Sequence, residues 1–398
     1  MYTTKLPMIA VEKALELINN NIKKTDVITT IPISKALGYV LAKDVMSPIN
    51  MPPFQQSAMD GYALGSTEER KFDLIGEVKA GDDTDPNLEQ GKAIRIFTGA
   101  PVPSGAKAVI MQEKVEIQDN QVLVQETVLP NANIRPLGEQ IKKEDIALPE
   151  GTTITAAGIG YLASLGITHV HVYQKPSIAI IATGNELVPP GQTLKYGQIY
   201  ESNSIMLSTA LTKVGFTDIS YFKVEDEYDI TLSLLENTIA HYDAVLVSGG
   251  ISVGDYDFVG KVLRALDVDE IFYKVKQKPG KPLYFAKKQG TTIFALPGNP
   301  ASSLSCFYIY VLPALFKISG YKEYNLKRTT AISNLKYAKK GQRAEFLKAY
   351  SEENKVTILD GQASSMLRSF AMANALVYLP EDVTEVNIGD TVQVINLP

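Results

Sequence analysis

Ile178-Ala-Ile-Ile-Ala-Thr-Gly-Asn-Glu186 is the stretch on which the fold turns. A short apolar run, Ile178–Ala182, ends in a polar, glycine-containing segment, Thr183–Glu186. An apolar run without polar alternation suits a strand covered on both faces. The arrangement recurs at Ala244–Val247, followed by Ser248-Gly-Gly-Ile-Ser-Val-Gly-Asp-Tyr-Asp257, and at Thr292–Leu296, followed by Pro297-Gly-Asn-Pro-Ala-Ser-Ser303. Strands are also predicted at Ile219–Val224 and Ile271–Val275. Helical spacing is predicted over Ser204–Val214, Ile230–Ala240, Phe258–Leu266 and Ala301–Leu315. Strands alternating with helices over residues 177–318 predict a parallel, doubly wound α/β sheet.

The character changes on either side. Residues 8–24 carry apolar positions at helical spacing. Residues 45–145 are rich in Pro, Gly and short β-type runs, at Phe72–Val78, Ala93–Phe97, Ala108–Met111 and Gln121–Val128, and predict a small β-rich domain with long loops. Residues 328–398 return to short strands, at Arg343–Tyr350, Lys355–Leu359, Ala375–Leu379 and Thr391–Ile395, and predict a terminal β-barrel. The class expected is therefore α/β plus β, in several domains.

The chain has 398 residues, 45% hydrophobic, with net charge −5 and a pI near 5.5. That balance argues against nucleic-acid or anionic-membrane binding, and an anionic substrate needs a local basic site. The lone cysteine, Cys306, excludes an intramolecular disulfide and lies in an apolar stretch that reads as a core helix interrupted by Pro313. No apolar run is expected to reach the ~18 residues that cross a bilayer, and the N-terminal residues carry no signal-peptide pattern, so a cytoplasmic location is expected. His169 and His171 alternate on a predicted strand and share one face, but two ligands make a poor zinc site.

In an open α/β sheet, ligands bind beyond the carboxyl ends of the strands. The three loops above leave such ends. Their glycines allow close backbone approach, and their hydroxyls and helix starts favour phosphate, though none is a dinucleotide or Walker loop. Glu186, Asp226, Asp255 and Asp257 sit beside them. Carboxylates next to a phosphate cradle make sense if Mg²⁺ bridges the two. Lys278-Pro-Gly-Lys-Pro282 is a stiff turn presenting two ammonium groups suited to a compact oxyanion. In the β-rich region, Pro52–Ala63 reads as a loop with one acid, Asp60, and Phe97–Pro103 as a second stiff loop.

Six motifs in order, Ser57-Ala-Met-Asp-Gly-Tyr-Ala63, Thr98-Gly-Ala-Pro-Val-Pro103, Thr183-Gly-Asn-Glu-Leu187, Ser248–Asp257, Lys278–Pro282 and Leu296-Pro-Gly-Asn-Pro300, closely resemble the molybdopterin molybdenumtransferase (MoeA) family, related to the E domain of gephyrin. The resemblance implies a MoaB/MogA-like α/β domain (1–24 plus 177–326), an elongated β-rich dimerisation domain (25–44 plus 146–176), an inserted β-rich domain (45–145) and a C-terminal β-barrel (327–398). It implies a homodimer whose sites lie between the α/β domain of one subunit and the inserted domain of the other, so that Asp60 and Thr98 face the partner's loops. The implied reaction joins molybdate to adenylylated molybdopterin and releases AMP, with Mg²⁺. Asp60, Glu186, Asp226 and Asp257 are the implied acidic site residues, the last three around the metal. Thr183, Gly184, Ser248, Gly249, Gly250, Ser252, Gly254, Asp255, Pro297, Gly298, Asn299 and Pro300 are implied to bind substrate. Lys278 and Lys281 are implied to hold molybdate, with Ser302, Ser303, Arg343 and one of Ser364, Ser365 or Ser369 lining the same pocket.

One departure stands out. Many family members carry Gly-Glu-Asp where this chain has Gly138-Glu-Gln140, so no metal role is carried over to Gln140. Two rival readings share the fold. A pterin-binding scaffold can keep the cradle and lose the acids, but here Asp60, Glu186, Asp226 and Asp257 are all present. A molybdopterin adenylyltransferase, or a related nucleotide pyrophosphatase or deamidase, would not need the Ser57–Ala63 motif. Adenylylation is expected from a separate partner, with molybdoenzymes as acceptors.

Overall fold

A computed structural model describes residues 7–251 and 258–398. The chain divides into two compact units: residues 30–36 with 43–170, and the remainder.

The larger unit contains the α/β sheet. Its six strands lie in the order Ile219–Val224, Ile178–Thr183, Ala244–Ser248, Thr291–Leu296, Tyr284–Lys288, Asp269–Tyr273. The first four are parallel. The last two join through antiparallel pairings, Tyr284–Lys288 running against the other five, which corrects the expectation of a fully parallel sheet. Tyr284–Lys288 was not expected as a strand, and the expected Ile271–Val275 begins earlier, at Asp269. Ile178 and Ile180 belong to one core cluster, Ala179 and Ile181 to another, so both faces are covered and the run is apolar throughout. Residues of Val11–Asn21, Asn203–Lys213 and Pro300–Ile318 join the first cluster; those of Tyr228–His241 and Phe258–Ala265 join the second.

The helical stretch Pro300–Ile318 is wound as a π-helix over Phe307–Val311, just before Pro313. The wider turn accommodates a ring that cannot donate to the preceding turn. At 19 residues it is longer and more continuously apolar than the sequence reading allowed. It is nonetheless 83% buried among the unit's own elements, as a core helix should be. Cys306 lies wholly buried within it, and burial pushes its thiol up to about 12. A buried cation, Lys175, donates to the Gly215 carbonyl at 2.8 Å and faces the rings of Tyr39 and Phe216 at 4.4 and 5.5 Å.

The same unit ends in a closed barrel. Ala344–Glu352, Lys355–Ile358, Arg328–Ser333, Thr391–Asn396 and Ala375–Leu379 pair in a ring, the last returning to the first. Closure leaves no free sheet edge. Alternation assigns Leu347 and Ala349 to the barrel core, and Ala344 and Phe346 to the core shared with the α/β helices. Gln277–Lys278 adds to the barrel beside Ala344–Glu345.

The smaller unit is built on a six-stranded sheet ordered Ala108–Met111, Gly61–Leu64, Lys92–Ile96, Lys71–Val78, Gln121–Val124, Val115–Gln118. Gly61–Leu64, expected as the end of a loop, is a fully buried strand between antiparallel neighbours. Gly61 is required there: a Cβ would sit 1.8 Å from the Ile110 carbonyl oxygen. An unanticipated helix, Ala156–Ser164, is capped by Thr155, whose hydroxyl accepts from Gly158 N–H at 3.1 Å. His169 and His171 share the exposed face of their strand.

Candidate functional site

The three loops converge. A cleft of about 730 Å³ opens at the carboxyl ends of the parallel strands, lined by Thr183, Gly184, Glu186, Ser248, Gly249, Gly250, Pro297, Gly298, Asn299 and Pro300. Asp226, from the loop after Ile219–Val224, joins them. The loops meet through glycine. Gly249 has φ 99°, and a Cβ on it would come within 2.7 Å of the Thr183 carbonyl oxygen. Gly298 lies close enough for its own Cβ to meet Gly249 Cα at 3.6 Å.

The acids are held to different degrees. Asp226 accepts from the Thr183 hydroxyl at 2.5 Å, and its N–H donates to Asn185 Oδ1 at 3.0 Å. Glu186 is exposed, with its carboxylate folded over Gly184. The predicted Ser252, Gly254, Asp255 and Asp257 lie outside the described residues. Among the described residues, no group of three His, Cys, Asp or Glu is placed to hold a metal by itself.

Asn203 was missed by the sequence reading, which began the predicted helix one residue later, at Ser204. Its amide donates to Ser248 Oγ at 2.7 Å and to the Gly298 carbonyl at 2.8 Å, tying the second loop to the third. Its Oδ1 is buried in the cleft lining without a partner among the described residues. The neighbouring Glu201 is buried and committed to Ser204, accepting its N–H at 2.9 Å and its hydroxyl. The only sequence signal for Asn203 is a polar cluster, Glu201-Ser-Asn203, at the opening of a helix.

The basic turn stands differently from expectation. Only its Pro282 lines the cleft. Lys278 Nζ lies 3.1 Å from Glu345 Oε1, a carboxylate only 1% exposed, whose other oxygen accepts from the Tyr337 hydroxyl at 2.7 Å. Lys281 is exposed. Arg343 Nη1 donates to the Gln277 carbonyl at 3.1 Å, under the turn. Ser302 and Ser303 are buried in the first turn of their helix, outside the cleft lining. The Ser303 hydroxyl is unpartnered among the described residues. Of the three barrel serines, Ser365 reaches the cleft. Ser364 Oγ accepts from Asn299 Nδ2 at 3.0 Å, and Ser369 is tied to the Gly361 carbonyl at 2.8 Å.

In the smaller unit, Asp60 and Thr98 form an exposed pair. Asp60 Oδ1 accepts from both the backbone N–H and the hydroxyl of Thr98, each at 2.7 Å. The Thr98 hydroxyl first, then its N–H, hold the carboxyl below its ordinary range. Gln140 is also exposed, its N–H donating to the Met51 carbonyl at 2.9 Å.

Three family profiles cover most of the chain: MoeA N-terminal region (domain I and II) over residues 9–166, probable molybdopterin binding domain over 179–317, and MoeA C-terminal region (domain IV) over 330–397. A molybdopterin molybdenumtransferase of Haemophilus influenzae is 33% identical, covering 91% of this chain and 92% of its own. Molybdopterin molybdenumtransferase 2 of Mycobacterium tuberculosis is 34% identical, covering 92% and 95%. The crystal structure of a molybdopterin biosynthesis MoeA protein from Pyrococcus horikoshii superposes with TM-score 0.84 at 31% identity, covering 98% of this chain and 100% of that one.

Proposed function

The chain belongs to the MoeA family, and from that premise we propose that it is a molybdopterin molybdenumtransferase, which transfers molybdenum from molybdate to adenylylated molybdopterin and releases AMP. The observation that carries the reading is the convergence of three glycine-containing loops and two acids on one cleft of nucleotide-accommodating size. Backbone N–H groups of the second loop and the helix beginning at Pro300 favour the phosphates. Asn203 holds the two loops at a fixed spacing.

Mg²⁺ fits this donor set. Hard oxygen donors are present in Glu186 and Asp226, and this ion is commonly held by one or two carboxylates together with substrate phosphates and water. Glu186, Asp226 and Asp257 would hold it. When bound, it supplies neutralisation of charge on the phosphoanhydride oxygens. Thr183 orients Asp226 through the hydroxyl hydrogen bond. Lys281, Lys278, Arg343 and the serines Ser302, Ser303 and Ser365 are proposed around molybdate, with Ser365 supported by its place in the lining.

The proposed assembly is a homodimer in which the partner subunit's Asp60 and Thr98 complete each site, on the four-domain plan implied by the motifs. The ionised, solvent-facing carboxylate of Asp60 supports such a role. A cytoplasmic location, delivery by a molybdopterin adenylyltransferase and hand-over to molybdoenzymes belong to the same proposal. The test is incubation of the pure protein with adenylylated molybdopterin, Mg²⁺ and molybdate, following AMP and cofactor together. Molybdate-dependent release of both is expected, and AMP release without cofactor formation would reject the transfer.

A further inference from the structure

The barrel strand Ala344–Glu352 carries a lysine that the chemistry above leaves unused. Lys348 is 1% exposed, on the alternation that directs Ala344 and Phe346 out of the barrel core. Its ammonium donates to the carbonyls of Gly361, Met366 and Ala363 at 2.7, 3.1 and 3.2 Å. Three protons thus meet three acceptors, all on one loop. The strand and loop are also joined through Gln362: its Oε1 accepts from Lys348 N–H at 3.0 Å, and its Nε2 donates to the Lys348 carbonyl at 2.9 Å.

That loop is the one that brings the barrel to the cleft. Ser365 lines the cleft, and beside it the Ser364 carbonyl accepts from Ser302 N–H at 3.2 Å. A segment without secondary structure has few donors of its own for its carbonyls, and the lysine brings three to one point. A methionine or leucine of similar length would fill the same space and give up all three bonds, leaving the Gly361 and Met366 carbonyls only the Ser369 hydroxyl and the Ala363 carbonyl only the Met366 N–H. Burial pulls the ammonium down to about 8 from its ordinary value, so the charge is kept at a cost a mere space-filler would not need.

We propose that Lys348 is a positioning residue: it pins the loop of residues 361–366 so that Ser365 is presented to an oxyanion in the cleft. This rests on the reading that the cleft takes molybdate. The full-length chain is compared with Lys348→Met, Lys348→Arg and Ser365→Ala. Hydrogen exchange is measured over residues 361–366, and binding of molybdate alone by equilibrium dialysis. Lys348→Met is expected to speed exchange in the loop and to weaken molybdate binding, each by roughly tenfold for lost hydrogen bonds of this kind. Lys348→Arg restores most of both. Ser365→Ala weakens molybdate binding to a similar degree while exchange stays at the wild-type rate. Unchanged exchange or unchanged molybdate binding in Lys348→Met overturns the proposal. So does absence of molybdate binding by the wild type. If Lys348→Met does not fold, normal molybdate binding by Ser365→Ala overturns it, and weakened binding there with rescue by Lys348→Arg supports it. A wild type that binds molybdate yet releases no AMP from the adenylylated pterin refutes the proposed reaction and leaves the role of Lys348 intact.

Discussion

Lys278→Met separates two jobs that one lysine could be doing. The ammonium lies 3.1 Å from Glu345 Oε1, and that carboxylate is 1% exposed while the lysine side chain keeps 37% of its surface. Removing one partner of a fully buried pair costs about 3–5 kcal/mol, because the other charge is stranded. Here solvent reaches the lysine, and Tyr337 still donates to the second oxygen, so the expected cost falls to roughly 1–3 kcal/mol. For a unit of this size that lowers the melting midpoint by roughly 2–12 °C. Methionine keeps the aliphatic stem, so packing is little changed. The assay is thermal unfolding at neutral pH of the wild type, Lys278→Met, Glu345→Gln and the double variant. The double variant should melt above Lys278→Met, since the stranded charge is gone and the amide oxygen can still accept from Tyr337. A Lys278→Met protein that melts with the wild type, or a double variant carrying the full sum of both losses, would refute this reasoning. Any loss of molybdate affinity in a Lys278 variant has to be read with that structural share removed.

Lys281 is the cleaner probe of anion binding: Lys281→Ala should raise the half-saturating molybdate concentration roughly tenfold without moving the melting point, and an unchanged titration removes it from the site. Mixing Asp60→Ala with Glu186→Ala protein should restore roughly a quarter of wild-type activity after free subunit exchange, because each mixed dimer has one intact site. No recovery after demonstrated exchange would place the whole site within one chain. Native Cys306 should resist alkylation at pH 8, where its thiol is far below the raised value near 12, and should react once the chain is denatured. Equal rates in the two states would contradict its burial. Lys175, lowered to about 8 by burial, binds its proton less well folded than unfolded. Stability relative to Lys175→Met should therefore rise as pH climbs from 8 towards 10, and a pH-independent difference would count against the shift.

Continuous apolar runs made the heart of the α/β sheet legible. Ile178–Ala182 and Ala244–Val247 are buried on both faces, and burial of that kind leaves no polar position to confuse the pattern. Tyr284–Lys288 escaped because its final residues, Lys287 and Lys288, look like the start of a turn; at the antiparallel side of the sheet they are half-buried and bonded to the carbonyls of Asn21 and Leu266. Gly61–Leu64 escaped because Gly61 and Ala63 are poor strand formers and the run is only four residues, and neighbours on both sides impose the strand. The loops of the candidate site were visible from their glycines and acids. What joins them was not. Asn203 acts through groups 45 and 95 residues away and Lys348 through a loop 13 to 18 residues on, and a polar residue beside a helix start or a lysine in an apolar strand reads locally as a cap or a solvated end.

The close fit at Gly61 sets how the chain around Asp60 can vary. With the Ile110 carbonyl oxygen where a side chain would begin, the strand cannot slide by a residue, because a bulkier neighbour would take the glycine's place. Asp60 stands immediately before that fixed point and is tied back to Thr98. Length can change upstream, in the exposed turn around Pro53 and Phe54, and leave the acid where it is. A single residue inserted between Asp60 and Gly61 would instead carry the carboxylate off its threonine, so drift in this part of the chain is permitted in one direction along the backbone and closed in the other.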